Sequence, residues 1–489
     1  MATKKDLVEA YSFSRRRLVT AFVSGAPGGR EVEPTRPGRT LIGGVALAVL
    51  LVAGALVLGI IKSPNNVDWE EQALISEKET GADYVNLVPL EGGDPELRPV
   101  INITSAMLLL GADVSSTSVS AEEIGTRTRG EPIGILQAPA TPPRADTLLQ
   151  SGWTACVGAA GGPAQGIQVG VSAAPAVTPT PDTRFVVRTA DGRLFVIAES
   201  ALGWNRSATR AYAYPVDTDN NADRLLRGVA GNGEDEAVPV PNDWVTLFPR
   251  GGLLGLATLG LKPGRIGRQS EMAGTSTVPA GARIGDVLTV VDGDLSFLLL
   301  DNSILQLDPF SLAVYSNSYP RGGAPTKREI AGPPATGVSG DARSLPAAYW
   351  PTTRPIQTPS GSLCAVLDAV PGDDPGVHVA RADFGSDAAP DDLPADEIDR
   401  AVESGSGAFV QAGDWDSVGA GTMTLVDDRG LAYRVEDDIA RTNLGYAGVD
   451  DEVVPSSWLQ LFERGVVLSL DAARCPPTSR DTDKTCADE

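Results

Sequence analysis

The sequence predicts a mostly β, α+β protein with one N-terminal transmembrane helix, followed by a large body of repeated β-hairpins and short helices. Three observations lead to this prediction: a single long apolar run, hairpin signals that recur in the same order, and four cysteines that all follow the apolar run. A chain of 489 residues exceeds one compact core, so several modules are expected. With 42% hydrophobic and 21% charged residues, most of the chain should fold in water.

The apolar run extends from Leu41 to Ile61 without a charged residue. A helix of this length, rising about 1.5 Å per residue, matches the roughly 30 Å hydrocarbon core of a bilayer. A cleaved signal peptide would have a shorter apolar region closer to the N-terminus, so an uncleaved anchor is the favoured interpretation. Basic residues precede the run and acidic residues follow it. This asymmetry predicts a single-pass membrane protein with a cytoplasmic N-terminus and an extracytoplasmic body.

The segment before the anchor carries a basic cluster formed by Arg15, Arg16 and Arg17. Apolar residues between Lys5 and Val23 recur at helical spacing, which predicts that the cluster lies on an amphipathic helix. Two interpretations have equal support. The three arginines are candidates for docking on a cytoplasmic partner, and a basic segment next to a membrane is also attracted to anionic lipid.

The four cysteines all lie beyond the anchor, where an oxidising milieu favours disulfides over metal binding. Cys475 and Cys486 flank a short polar segment near the C-terminus and can close a local loop. That pairing leaves Cys156 and Cys364 to join distant regions of the chain. A zinc site is disfavoured because no CxxC spacing occurs and His378 is the only histidine.

Two distant stretches, beginning at Arg184 and Thr422, carry the same ordered signals and define an internal repeat. Each contains alternating apolar residues around an Asp-Gly or Arg-Gly turn, as in a β-hairpin. Each then closes with a segment that starts with Pro and spaces a Trp and a Phe for a short covering helix. Burial in the core is the commoner use of such Trp residues, and a ligand platform is the alternative. The predicted repeat-core residues are Trp244, Phe248, Trp458 and Phe462.

A third hairpin signal starts at Val287, and a fourth, weaker one starts at Tyr84. Between the paired repeats lie two stretches that each contain one cysteine of the distant pair. The body is therefore predicted to have two halves, joined by Cys156 and Cys364 and related by pseudo-twofold symmetry. Three stretches are interpreted as flexible or exposed connections, the last of them acidic: 158–181, 322–344 and 380–403.

Motifs for catalysis are missing from the sequence. The chain has no Gly-Lys pair, so the P-loop of common ATPases is absent. One histidine cannot build a multi-histidine metal site, and no Gly-x-Ser-x-Gly elbow precedes a predicted helix. The net charge of -23 repels phosphate backbones and argues against nucleic acid. The sequence thus predicts no catalytic residue, metal ligand or cofactor.

Five segments, in their order along the chain, resemble the EccB family of type VII (ESX) secretion systems. They are LVEAYSFSRRRLVTAFVSGAP from Leu7, ISEKETGADYV from Ile75, LRPVINITSAMLLLG from Leu97, GEPIGILQAPATPP from Gly130, and VLTVVDGDLSFLLLDNSILQLDPF from Val287. Singly these motifs are weak, but their order is specific and spans nearly the whole chain. Cys156 and Cys364 fall at the positions of the family's disulfide pair. Cys475 and Cys486, and the acidic stretch near Ala380, depart from the family pattern.

The resemblance implies a structural subunit of an inner-membrane channel that exports folded WXG100-type substrates. The implied partners are the EccC motor ATPase, the membrane proteins EccD and EccE, the mycosin protease and further copies of this chain. The repeats would surround a central β domain and form an elongated, propeller-like body. Two other activities are also implied: binding to peptidoglycan, and ATP hydrolysis, for which the sequence contains no nucleotide motif.

Together the signals divide the chain into nine predicted segments. They are a cytoplasmic segment (1–40), the anchor (41–61), a juxtamembrane segment with repeat 1 (62–125), the first segment of the central domain (126–180), repeat 2 (181–265), repeat 3 (280–345), the second segment of the central domain with the acidic loop (346–400), repeat 4 (401–470) and a polar tail (471–489).

Overall fold

The computed structural model comprises two compact units, Met1–Asp68 (unit 1) and Trp69–Glu489 (unit 2). The residues that it describes are 3–24, 42–53, 69, 71–88, 94–202, 205–218, 221–275, 277–291, 293–319, 324–335, 337–341, 350–351, 360–369, 372–415 and 421–477.

Unit 1 contains two helices within its described residues. Helix α1 (Lys4–Ser24) includes the three clustered arginines, and helix α2 covers residues 42–53. The large apolar side chains on both helices are exposed. The predicted anchor, 41–61, is described only over α2. Within the described portion of the chain, no helix has the length and apolar character needed to cross a membrane.

Unit 2 contains five β-sheets in its described residues, and four of them share one connectivity. Each of the four begins with three consecutive antiparallel strands, continues with a helix, and then adds a strand parallel to the first. A last segment runs parallel to the third strand, as a full strand in two sheets and as isolated bridges in the other two. We call them sheets 1 to 4 in chain order, and we call the fifth the central sheet.

Sheet 1 and the first strands of the central sheet come first in the chain. Sheet 1 consists of β1 (Ala73–Glu77), β2 (Asp83–Leu87), β3 (Glu96–Pro99) and β4 (Ser116–Val119), with helices α3 (Ile103–Leu110) and α4 (Ala121–Ile124). The central sheet then begins with β5 (Trp153–Val157), β6 (Ile167–Val171) and β7 (Thr178–Pro179).

Sheets 2 and 3 follow each other directly along the chain, with no strand of the central sheet between them. Sheet 2 consists of β8 (Phe185–Thr189), β9 (Leu194–Leu202), β10 (Asn205–Pro215) and β11 (Val238–Val240), with helices α5 (Ala222–Val229) and α6 (Asn242–Val245). Sheet 3 consists of β12 (Val287–Val290), β13 (Ser296–Leu299), β14 (Ile304–Leu307), β15 (Lys327–Ile330) and β16 (Val338–Asp341), with helix α7 (Pro309–Ser318).

The chain then completes the central sheet and ends with sheet 4. The added central strands are β17 (Ser362–Asp368), β18 (Gly376–Ala382) and β19 (Ile398–Val402), which give the order β19-β6-β5-β17-β18-β7. Sheet 4 consists of β20 (Ala408–Gly413), β21 (Thr422–Val426), β22 (Leu431–Val435), β23 (Val453–Pro455) and β24 (Glu463–Leu468), with helices α8 (Asp438–Asn443), α9 (Ser456–Leu459) and α10 (Leu470–Arg474).

The helix after the third strand starts in the same way in all four sheets. Its N-cap is always Asn or Asp, and the side-chain oxygen accepts a hydrogen bond from the backbone N–H three residues later. The N-caps and their N–H···O distances are Asn102 (2.8 Å), Asn221 (3.2 Å), Asp308 (2.8 Å) and Asp437 (2.8 Å). The shared N-cap therefore marks the repeat, but the comparison of sequences missed it. The number of residues between the hairpin and the N-cap differs from one sheet to the next.

The two hairpins matched in the sequence occupy different places in their sheets. The hairpin with Gly192 in its turn joins the first and second strands of sheet 2, whereas the hairpin with Gly430 joins the second and third strands of sheet 4. Both glycines have a positive φ, 84° and 76°, which explains why both turns contain glycine. Turn chemistry thus located hairpins correctly but did not establish which strands of the repeat correspond.

Three stretches interpreted as flexible or exposed connections contain strands. Stretch 158–181 includes β6, whose residues Ile167, Val169 and Val171 are fully buried. Stretch 322–344 contains β15 and β16, and stretch 380–403 contains the end of β18 and all of β19. Small residues and prolines suggested loops, but pairing with neighbouring strands outweighs that local preference. The predicted polar tail also begins inside α10.

Candidate functional site

The central sheet contains the predicted disulfide of the distant cysteine pair. Cys156 on β5 and Cys364 on β17 lie directly opposite each other in antiparallel register, with their Cα atoms 4.0 Å apart. The bond spans 208 residues and encloses sheets 2 and 3 in one covalent loop. Chain-entropy arithmetic gives a loop of this size about 5 kcal/mol of stabilisation. The predicted pairing of Cys156 with Cys364 is confirmed.

The acidic stretch covers the face of the central sheet that holds this disulfide. Both cysteines are fully buried, as are Ala380 and Ala382, and Ala389 packs against them at 7% exposure. Ala389 belongs to the turn between β18 and β19 and packs inward, while Asp387 and Asp391 of the same turn are exposed. Small side chains are needed here because the turn lies close to the sheet.

The opposite face of the central sheet forms the largest core, and both Trp-centred segments pack in it. Trp244 is fully buried, and its indole N–H donates to the Ala155 carbonyl on β5 at 2.9 Å. Trp458 is also fully buried, but its indole N–H donates to the Leu247 carbonyl of the other Trp segment at 3.1 Å. Sheets 2 and 4 therefore meet each other beneath the central sheet.

The two phenylalanines of these segments are buried in the same core. The ring of Phe248 lies edge-on to that of Trp244, with centroids 4.9 Å apart. The ring of Phe462 lies edge-on to Trp153 of the central sheet, with centroids 5.6 Å apart. Such pairs each add about 0.5–1.5 kcal/mol beyond their apolar burial. All four residues named from the sequence as repeat core thus lie around one interface.

Sheet 3 packs on sheet 2 through helices α5 and α7. Arg224 on α5 donates to the carbonyls of Asn317 and Tyr319 at 2.8 and 2.6 Å. Gly228 lies where the helices touch, because a Cβ at that position would be 2.1 Å from the Asn317 side-chain nitrogen. In the same core, burial lowers the pKa of Arg184 to about 10, and its guanidinium lies 4.7 Å from the ring centroid of Phe310.

Sheet 1 packs on sheet 4 at the corresponding place. Asn443, at the end of α8, donates to the Leu108 carbonyl of α3 at 2.6 Å. The Tyr446 hydroxyl donates to the Pro143 carbonyl, also at 2.6 Å. Gly445 faces Ala112, with 3.2 Å between a Cβ built at Gly445 and the Ala112 Cβ. Gly228 and Gly445 open the matched GVAG and GYAG motifs, so the same motif contacts an outer sheet in both cases.

The chain's only histidine lies where the central sheet meets sheet 2. His378 Nδ1 on β18 is 3.4 Å from Glu199 Oε1 on β9. Glu199 also accepts hydrogen bonds from the Thr209 hydroxyl at 2.9 Å and the Val379 N–H at 3.3 Å. The hydrogen bond to Glu199 raises the pKa of His378 above its ordinary value. This carboxylate therefore joins two sheets, with His378 as one of three partners.

Comparison with known proteins places the chain in a family. The family model described as type VII secretion system ESX-1, transport TM domain B (EccB) matches residues 1–479. The chain belongs to the EccB family. The family resemblance found in the sequence is confirmed.

Curated EccB relatives match over most of their length. The ESX-3 secretion system ATPase EccB3 of Mycobacterium tuberculosis (strain H37Rv) is 26% identical over 483 residues, covering 90% of this chain and 83% of that protein. The ESX-1 secretion system ATPase EccB1 of Mycolicibacterium smegmatis (strain MKD8) is 26% identical over 500 residues, covering 96% and 94%.

Chains from solved structures of ESX complexes share the fold. A chain from an intact ESX-5 inner membrane complex has a TM-score of 0.61 and 21% identity, covering 100% of this chain and 98% of that one. A chain of the EccB3 dimer from the ESX-3 core complex has a TM-score of 0.59 and 23% identity, covering 82% and 100%. The predicted class, α+β and mostly β with several sheets, is confirmed.

The remaining residues predicted from the sequence are the three clustered arginines and the second cysteine pair. Arg15, Arg16 and Arg17 are exposed on α1 in unit 1. Cys475 follows α10, and its backbone carbonyl accepts the Gly134 N–H at 3.0 Å. Cys486 lies outside the described residues, so its pairing with Cys475 stays a prediction. Within the described ranges, no group of three or more His, Cys, Asp and Glu residues is arranged to hold a metal ion.

Proposed function

We propose that this EccB family member is a structural subunit of the inner-membrane complex of a type VII secretion system. The observation that carries the proposal is the family match over residues 1–479. It is supported by related chains solved in an ESX-5 inner membrane complex and in an ESX-3 core complex. The layered contacts among sheets suit a load-bearing subunit, because sheets 2 and 4 share the core of the disulfide-linked central sheet.

The proposed body is an elongated, propeller-like assembly with pseudo-twofold symmetry. Sheets 2 and 4 are the inner repeats beside the central sheet, and sheets 3 and 1 are the outer repeats that pack on them. Support comes from the shared connectivity and from Gly228 and Gly445, which contact the outer repeats from matched motifs. The proposed domain boundaries are those predicted from the sequence.

The proposed location is the plasma membrane, with residues 41–61 as a single anchor and the body outside the cytoplasm. The uninterrupted apolar run and the basic residues before it support this topology. A cysteine-reactive, membrane-impermeant reagent tests it in intact cells. In a chain with Cys475 and Cys486 replaced by Ser, Ser24→Cys should stay unlabelled and Ser116→Cys should be labelled, and the reverse pattern would overturn the orientation.

The proposed partners are the EccC motor ATPase, EccD, EccE, the mycosin protease and further copies of this chain, with WXG100-type pairs as exported cargo. The EccB3 dimer of the ESX-3 core complex supports self-association. We further propose that Arg15, Arg16 and Arg17 dock α1 on a cytoplasmic partner, since α1 exposes them next to an apolar surface.

Mild-detergent extraction of the tagged full-length chain, followed by mass spectrometry, tests the proposal. We expect a large assembly that contains a motor ATPase. Reversing Arg15, Arg16 and Arg17 to Glu should lower recovery of the motor, whereas Lys4→Glu with Lys5→Glu, on the same helix, should leave it largely unchanged. A protein that comes out alone, and stays alone after crosslinking in cells, would overturn the proposal. Sedimentation of that isolated protein with purified cell wall would then indicate a peptidoglycan-binding module.

ATP hydrolysis is a second candidate, because the curated relatives are named ATPases. The absence of a Gly-Lys pair in the sequence means that any such activity would need a nucleotide site other than a P-loop. Phosphate release by the purified chain, freed of the motor by salt and detergent washes, decides between the two. Activity that follows this chain through every column supports an ATPase, and activity that leaves with the motor supports the structural subunit.

A further inference from the structure

A buried carboxyl group without a hydrogen-bond partner lies in sheet 4, beside the core that this sheet shares with the central sheet. Glu452, the residue before β23, is 2% exposed, and neither of its side-chain oxygens has a hydrogen-bond partner within the described structure. Its backbone is held in place, because its carbonyl accepts the Gln411 N–H of β20 at 2.7 Å. Val454, two residues later and so on the same face of the chain, is buried in the core shared with the central sheet.

The charged groups around Glu452 oppose its ionisation. Asp450 from its own loop and Asp368 from the end of β17 both act on it with negative charge. Arg441 does not compensate this charge, because it pairs with Asp451 at 2.9 Å. A buried, unpaired carboxylate is strongly disfavoured relative to the neutral acid, and nearby negative charges increase that preference.

The basic groups at this end of the central sheet are engaged elsewhere. Arg210 of sheet 2 donates to the carbonyls of Pro375 and Trp415, at 3.4 and 3.0 Å. His378 on β18 is bound to Glu199. Sheet 2 thus contacts the turn between β17 and β18 through charged and hydrogen-bonded groups, whereas sheet 4 has a buried acid that interacts electrostatically with Asp368 at the end of β17.

We propose that the loop before β23, beside the core shared with the central sheet, is a pH-sensitive junction that opens as Glu452 loses its proton. When the proton leaves, the carboxylate gains free energy by reaching water, which requires the loop before β23 to move away from the end of β17. The hydrogen bond from Gln411 to Glu452 and the pairing of β23 with β20 are the first contacts to loosen.

The direction of the pH dependence follows from the burial of the acid. Burial raises the pKa of Glu452 from 4.5 to about 8, and Asp450 and Asp368 add to this effect. A raised folded-state pKa means that the stabilising contribution is fully present below about pH 4.5 and decreases as the pH rises. It is exhausted once the pH passes the folded-state value of about 8. The junction therefore weakens as the pH rises from about 4.5 to about 8 and changes little above that value.

Hydrogen–deuterium exchange of the full-length protein in detergent, corrected for intrinsic exchange, tests the proposal. Between pH 6 and pH 9, protection of peptides from 408–413 and 450–455 should fall by about tenfold or more. Glu452→Gln keeps the shape of the neutral acid and should remove most of this loss. Glu463→Gln, which alters an exposed carboxyl in the same sheet, should behave like the unchanged protein. An equal loss of protection in Glu452→Gln and the unchanged protein would overturn the proposal.

A measurement on the unchanged protein covers the case in which Glu452→Gln does not fold. Protection of α7 in sheet 3, which is remote from Glu452 in the order of packed sheets, should vary little over the same pH range. A selective loss at 408–413 and 450–455 supports the junction. A uniform loss across all sheets, or no loss at the junction, contradicts it.

Discussion

Sheets 2 and 4 carry the same Trp-centred motif, but the two tryptophans are bound differently. Trp244 donates to the central sheet at Ala155, while Trp458 donates to Leu247 of the other motif. Both are fully buried and both lie on four-residue helices that follow a proline. The shared motif therefore determines the local helix and the burial, whereas the hydrogen-bond acceptor depends on what each copy meets in the folded chain.

Truncating either tryptophan should cause the largest loss. Trp244→Ala and Trp458→Ala should each lower the free energy of unfolding by about 3–5 kcal/mol, since each removes a fully buried side chain. Urea unfolding of the full-length protein in detergent, followed by fluorescence, measures this. Phe384→Ala, at a side chain that is 70% exposed, is the control and should change stability by less than about 0.5 kcal/mol.

The double variant tests whether the two segments form one unit. Because Trp458 binds the carbonyl of Leu247, three residues after Trp244, the two losses should not be additive. The coupling should reach about 0.5–3 kcal/mol. Simple addition would show that the segments contribute independently to the core.

Removing the disulfide should have the next largest effect. Replacing Cys156 and Cys364 together by Ala should lower the free energy of unfolding by about 2–5 kcal/mol, because the closed loop of 208 residues restrains the unfolded chain. The same urea experiment under oxidising conditions measures the loss. The protein without substitutions, once its disulfide is reduced, should unfold at the same urea concentration as the variant, and this would support the interpretation. Equal stability of the variant and the oxidised protein would contradict it.

The paired glycines should differ in how they can be rescued. Gly228→Ala should cost about 1–3 kcal/mol through overlap with Asn317, and adding Asn317→Ala should recover much of the loss. Gly445→Ala should cost about 1–2 kcal/mol because its φ is +88°, in the left-handed region. Adding Ala112→Gly should not rescue it, since the strain lies in the backbone of residue 445. If the second substitution rescued both glycine variants, or neither of them, the two contacts would be equivalent.

The smallest expected effect concerns the junction of sheet 2 with the central sheet. Because the pKa of His378 is raised, protonated His378 stabilises the fold fully below about pH 6.5. This stabilisation is lost as the pH rises through the pKa of His378 in the folded protein. His378→Gln should lower stability at pH 6 by less than about 1 kcal/mol, since the pair is partly exposed to solvent, and should have less effect at pH 9. Thermal midpoints at the two values measure this. If His378→Gln lost more stability at pH 9 than at pH 6, the proposed stabilisation of protonated His378 by Glu199 would be contradicted.

Local signals predicted more of this molecule than composition did. Asp-Gly and Arg-Gly turns located two hairpins, and Trp-Phe spacing identified side chains that are buried in one core. Cysteine position predicted the long disulfide. Composition failed at β6, β15, β16 and β19, where small and acidic residues suggested loops. Strand pairing depends on neighbours that are distant in the sequence, so a window of local composition could not detect it.

Glu452 shows the same limit at the level of a single side chain. Its sequence neighbourhood, with Asp450 and Asp451, indicates a solvated acidic turn, and Asp451 fits that description because it is exposed and paired with Arg441. Glu452 differs because its side chain is 2% exposed, next to a strand that packs in the core shared with the central sheet. Alternation of side chains next to a strand can suggest such burial, but only the packing of distant segments establishes it.

By itself, the sequence determined the family, the mostly β class, the local hairpins and the cysteine pair that joins the two chain segments of the central sheet. These features follow from short-range chemistry: turn residues that allow positive φ, apolar spacing, and the presence and placement of cysteines. The tertiary structure decided which strands of the repeats correspond, which carbonyl each tryptophan binds, and which acid loses its contact with water. Those outcomes depend on segments that are far apart in the chain and meet only when the central sheet forms.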